Sequence, residues 1–170
     1  MDTSHLDDDE PPSIDGGVTG VHVENLQDLP VDMAGWSHLV RAVLAAEGYP
    51  ATTQVTVVFV DDDHMTELNQ GHLGGAGPTD VISVPLERLT PGHVPVVDAG
   101  APPLMLGDIF ISPETVARKA ADDDIENEMA LMVVHATYHL LGWDHADDAS
   151  ALAMEERERE VLESMGRRRR

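Results

Sequence analysis

Apolar residues along this chain change their spacing several times, and each change marks an element. Val18 to Asn25 reads as a short strand, and Met33 to Glu47 carries Trp36, Leu39, Val43 and Leu44 at helical spacing until Gly48 and Pro50 stop it. Thr53 to Val60 is rich in β-branched residues and predicts a central strand, after which an N-cap within Asp61 to Asp63 opens a short helix through Leu68. Gly74-Gly75-Ala76-Gly77-Pro78 predicts a loop. Thr79 to Val84 predicts a strand ended by Pro85, and Leu104 to Ile111 a further strand. Between these two strands, Glu87 to Pro103 holds four prolines and two glycines, a connection long enough to be either mobile or close to a site. Pro113 to Ala121 starts another helix, with its proline in the first turn. Asp122 to Asp124 then cap a helix from Ile125 to about Leu141, whose apolar positions surround it almost completely, so it is predicted to be buried. Ala146 to Met165 forms the last helix, with Glu155 and Arg159 one turn apart, and Gly166 stops it.

At 170 residues, 42% of them hydrophobic, one core is expected, and with only two Trp, two Tyr and two Phe it must be packed by aliphatic side chains and Met. The balance of 32 Asp plus Glu against 10 Lys plus Arg, a formal charge of −22, opposes non-specific binding to phosphate backbones, so any RNA partner must be held locally. Lys119 is the only lysine; a high-salt habitat and ordinary solvated carboxylates both account for such a surface. Residues 1–17, with six acids, Pro11-Pro12 and Gly16-Gly17, predict a disordered acidic leader, and Arg167 to Arg170 a basic tail. The first residues lack a secretory signal and no apolar run could span a bilayer, so a cytoplasmic location is expected.

The absence of cysteine excludes disulfides, Cys-ligated zinc and a thiol nucleophile, leaving His and carboxylates to hold any metal. Three histidines do stand together. His135 and His139 lie a turn apart on one helix face, and Gly142 can take the left-handed conformation that turns the chain back to bring His145 toward them. Three imidazoles around one Zn2+ leave a fourth position for water, as in catalytic zinc sites. Crowding them without a shared cation would be costly. His5, His22, His38, His64, His72 and His93 show no such spacing, and only His72 is kept as a cleft candidate. The triad fits the metzincin pattern His-Glu-x-x-His-x-x-Gly-x-x-His except for its glutamate, which is Ala136 here; the general base of peptide hydrolysis is therefore missing.

Three ordered blocks carry a further likeness: Leu68-Asn69 with Pro78-Thr79-Asp80-Val81-Ile82-Ser83, then Leu106-Gly107-Asp108-Ile109, then the histidine segment ending Leu140-Leu141-Gly142-Trp143-Asp144-His145. With Met154 and the acidic last helix, the chain resembles the YbeY ribosome-maturation endoribonucleases over about Val18 to Met165. The resemblance implies an α+β fold, a single domain over 18–165 with a small, mostly parallel sheet flanked by helices. It also implies zinc in a cleft on His135, His139 and His145, and single-stranded RNA as substrate. Maturation of the 3′ end of small-subunit (16S) ribosomal RNA, ribosome quality control, and contacts with the Era GTPase and a small-subunit ribosomal protein follow from the same resemblance. The chain departs from the family at Ala136, Tyr138 and Val84, where Gly, Leu and Phe are usual, and at Leu73, where many members carry an arginine held to matter for activity.

On this reading one zinc per chain polarises the phosphodiester, while Asp144, Asp80 and Asp108 are candidates to orient ligands by accepting hydrogen bonds; turn or cap roles fit each aspartate as well. The pattern identifies no general base. The charge missing at Leu73 could come from another group such as Arg118, while the Arg167 to Arg170 tail fits either contacts with rRNA phosphates or a flexible, solvated end. A non-catalytic assembly factor with structural zinc is the rival reading, and a metzincin-like peptidase is disfavoured by Ala136.

Overall fold

A computed structural model of the protein describes residues 20–121 and 124–169. The leader expected over 1–17, and Asp122 and Asp123 of the acidic cap, lie outside the described residues. In chain order the elements are β1 (Val21–Asn25), α1 (Met33–Ala46), β2 (Gln54–Phe59), α2 (Asp62–Leu73), β3 (Val81–Pro85), β4 (Met105–Ile111), α3 (Pro113–Lys119), α4 (Ile125–Leu140) and α5 (Asp148–Ser164). Each helix starts on a side chain suited to accept an orphan backbone N–H. Asp32 accepts from Gly35, Asp61 from His64, Ser112 from Thr115, Asp124 from Asn127 and Asp147 from Ser150. Part of the acidic excess is thus spent on starting helices.

The four strands form one sheet in the order β1-β2-β4-β3, with β1, β2 and β4 mutually parallel and β3 antiparallel to β4. The expected mostly parallel α+β sheet is present, and the β-branched run of β2 lies in its interior. Successive side chains on a strand face opposite ways, which divides the core in two. Val55, Val57, Phe59, Ile109 and Ile111 point to the face covered by α1 and α4, together with Leu39, Val43, Val133 and Leu140. Val58, Val60 and Ile82 point to the other face, where Met65 and Leu68 of α2 cover them. The ladder slips at Gln54/Val55, where β4 carries the extra residue Leu106, and Gly107 there sits at φ +138° against the Val84 carbonyl.

Two expectations are corrected. The helix after β2 continues to Leu73 instead of ending near Leu68. Only Met65 and Asn69 are buried on it, so its second half is a solvated surface with no apolar stripe to announce it. The Glu155–Arg159 contact is replaced by one from outside the helix: Arg169 reaches Glu155 at 3.3 Å and Glu158 at 2.7 Å. Arg167 likewise pairs with Glu126 at 2.9 Å and covers the Trp36 ring. These arginines are neutralised by carboxylates of the body.

Candidate metal centre

α4 is the central helix of the larger core and packs on β3 and β4, with the Ser83 hydroxyl donating to the Ala136 carbonyl at 3.1 Å. Its end fixes the site. Gly142, at φ +88°, donates its N–H to the His139 carbonyl, and Trp143 donates to the Tyr138 carbonyl, the paired bonds of a Schellman cap. The accompanying apolar contact is the Trp143 ring set edge-on to Tyr138 at 6.3 Å. Arg157 of α5 stacks on that indole, 4.4 Å from its centroid, and is itself held by the buried Glu47 carboxylate at 3.0 Å. A side chain at position 142 would be strained at this φ, and its Cβ would run into the Leu89 carbonyl, so the backbone there would have to shift. Of the two roles open to the Glu87 to Pro103 connection, the structure shows the second: its backbone is packed against the turn that carries the site.

This cap brings His145 back over His135 and His139. The ligand nitrogens of all three lie within 4.8 Å of one another, and the ring centroids are 4.5 to 4.9 Å apart. His135 Nδ1 is 2.7 Å from Oε1 of Glu158, and His139 Nδ1 is 2.9 Å from the Trp143 carbonyl. A carbonyl can only accept, so His139 Nδ1 carries its proton and donates. Burial would raise the Glu158 carboxyl, but the bonds and charges of His135 and Arg169 outweigh it and hold Glu158 below the usual carboxylate range. It therefore accepts from His135 Nδ1. In the neutral form of each ring Nε2 then carries the lone pair, and the two Nε2 atoms stand 3.0 Å apart. Two acceptors at that distance repel unless a proton or a metal ion lies between them, and with His145 converging on the same point the donor set fits a bound metal ion. Burial, then the neighbouring His135, push His139 below the ordinary imidazole value, which favours the neutral form a ligand needs.

The open side of the cluster is a cleft of about 460 Å³ lined by Leu73, Ile82, Pro85, Trp143 and Asp144 among others. None of the described residues lining it is Lys or Arg. Leu73, at the end of α2, is 64% exposed in this cleft, so the departure from the family pattern falls at the site itself.

Of the three aspartates considered as orienting groups, only Asp144 lines the cleft, and its charge favours protonation of His139. Asp80 is committed elsewhere: it accepts from Lys119 at 3.1 Å and caps the start of β3 through the Val81 N–H. Asp108 faces away from α4, because its neighbour Ile109 fills the core beneath that helix; it forms a row across the sheet with His22 and Thr56 and lines a separate small cavity with them. Arg118 is also engaged outside the cleft, paired with Asp62 and donating to Thr115 at 2.7 Å. Glu158 is the functional residue that sequence reasoning missed. Its signal was available, since Met154, Glu158, Val161 and Leu162 form one buried stripe of α5, and a lone acid in such a stripe needs a partner.

Comparison with known proteins places the chain in a family. Residues 22–166 match the family described as Endoribonuclease YbeY. A protein named Endoribonuclease YbeY from Pelotomaculum thermopropionicum is 38% identical over 148 residues, covering 84% of this chain and 94% of its own. One from Salinispora tropica is 37% identical over 131 residues, covering 75% and 83%. The solution structure of a Thermotoga maritima protein, at 22% identity, shares the fold with a TM-score of 0.54 over 86% of this chain and 91% of that one. With the family match spanning most of the chain and a relative 38% identical over 84% of it, this protein belongs to the endoribonuclease YbeY family.

Proposed function

We propose that the protein is a zinc-dependent endoribonuclease acting on single-stranded RNA in the cytoplasm. Its place in this reading is maturation of the 3′ end of small-subunit ribosomal RNA and ribosome quality control, with the Era GTPase and a small-subunit ribosomal protein as partners. The observation that carries the metal is the convergence of three imidazoles, with the Nε2 atoms of His135 and His139 3.0 Å apart while both their Nδ1 atoms are engaged. Zinc, once bound there, supplies Lewis-acid polarisation of a phosphodiester. The protein's own groups do the rest. Glu158 and the Trp143 carbonyl hold the two helical imidazoles in the tautomer that presents Nε2, and His145 closes the set from the turn. Leu73, Pro85 and Trp143 offer apolar walls to bases, and Asp144 is the carboxylate of the cleft placed to take a proton.

The test is one preparation, measured for zinc after dialysis and then for cleavage of a single-stranded RNA and of casein. About one zinc per chain is expected from the three-histidine set. RNA should be cut, casein should not, and His139→Ala should lose both metal and cleavage. That no Lys or Arg lines the cleft among the described residues favours one alternative, a factor that binds RNA without cutting it. A zinc-loaded protein that binds RNA and leaves it intact would establish that alternative.

A further inference from the structure

The basic segment after α5 folds back instead of continuing outward. Gly166 donates its N–H to the Glu163 carbonyl and Arg167 to the Leu162 carbonyl at 2.8 Å, the same paired cap that ends α4. The reversal lays Arg169 beside the helix, with its Nε donating to Oε2 of Glu158 at 2.7 Å and its Nη2 3.3 Å from Glu155. Glu158 is 1% exposed. Its second oxygen, Oε1, accepts from His135 Nδ1 at 2.7 Å. A single buried carboxylate thus joins an arginine of this segment to an imidazole of the metal cluster, one oxygen to each.

We propose that Arg169 is a positioning residue for the metal centre, acting through Glu158 to hold His135 in its ligating orientation. The inference rests on the metal reading given above. A buried polar group needs its partners, and a carboxylate that lost the one on Oε2 would be free to turn, releasing the Nδ1–H whose direction orients the His135 ring. Neighbouring Arg168 is exposed and makes no contact with the cluster among the described residues, so it serves as a control.

The experiment measures Zn2+ affinity by competition with a chromogenic chelator, alongside the melting temperature of the metal-free protein. Removing groups that orient metal ligands costs about 10- to 100-fold in metal affinity. Arg169→Ala should therefore weaken zinc binding at least tenfold, Arg169→Lys should recover part of that loss, and Arg168→Ala should bind as the wild type does. In a Glu158→Gln background, where the carboxylate link is already broken, Arg169→Ala should have little further effect. A purely structural role would lower the metal-free melting temperature while leaving zinc affinity unchanged. That outcome, or an undiminished effect of Arg169→Ala in the Glu158→Gln background, would overturn the proposal. Wild-type protein that binds no zinc would overturn the metal reading and this inference with it, whereas normal binding by both the wild type and Arg169→Ala would remove only the inference.

Discussion

Gly142 couples the fold to the metal centre, and replacing it with alanine tests that coupling. Two costs are expected. A side chain at φ +88° pays the left-handed penalty, about 1–2 kcal/mol. The new Cβ must also displace Leu89, whose carbonyl carbon would stand only 2.8 Å away and whose oxygen would be closer still; forced overpacking of this kind costs about 1–3 kcal/mol. Gly74 separates the two effects, because at φ +66° a Cβ there meets nothing within 4 Å. Gly74→Ala should thus show the backbone penalty alone. At about 2–4 °C per kcal/mol for a domain of this size, Gly142→Ala should melt roughly 10 °C below the wild type and Gly74→Ala only a few degrees below it. Gly142→Ala should also bind zinc more weakly, since any shift of the cap moves the Trp143 carbonyl that holds His139. Thermal melts of the metal-free proteins, with zinc titrations beside them, decide the matter. Equal melting of the two variants, with unchanged zinc affinity, would show that the connection around Leu89 yields freely and that the packing argument is wrong.

Further outcomes follow from the same contacts. Replacing His135, His139 or His145 with Ala should remove zinc and its contribution to the melting temperature, since binding to the folded state adds stability by mass action; metal analysis showing full retention in two of the three would reject the site. Burial would raise the Asp62 carboxyl, but bonds from Arg118, Ser112 and Thr115 and the Arg118 charge hold it at about 2. With a folded value below the unfolded one, its stabilisation is complete above the unfolded carboxylate range, about pH 4, and is lost as pH falls toward 2. Urea unfolding should therefore find Asp62→Asn weaker than wild type at pH 6 and equal to it near pH 2. Leu73→Arg should add the cation the cleft lacks and raise single-strand cleavage on the order of 10²-fold at constant zinc content, judging from oxyanion donors. Arg118→Ala, by contrast, should leave cleavage unchanged because its guanidinium serves Asp62; a clear loss of cleavage would put Arg118 at the substrate after all.

The sequence alone determined what depends on near neighbours. The helix caps expected within Asp61 to Asp63 and Asp122 to Asp124, the β-branched run of β2, and the burial of α4 are all local patterns that the fold keeps, with Asp61 and Asp124 as the capping residues. The histidine set was legible for the same reason, since four residues on a helix make one turn and Gly142 supplies the reversal. Tertiary structure decided which polar groups meet across the chain. Asp80, Asp108 and Asp144 are alike in sequence, but the pleat sends Asp108 to the far face, Lys119 takes Asp80, and only Asp144 reaches the cleft. Arg118 and Arg169 are both basic residues near helix ends, yet one closes on Asp62 and the other on Glu158. Such pairings join residues 11 to 56 positions apart, and their geometry is set by how α2, α3, α4 and α5 pack, which no local spacing encodes.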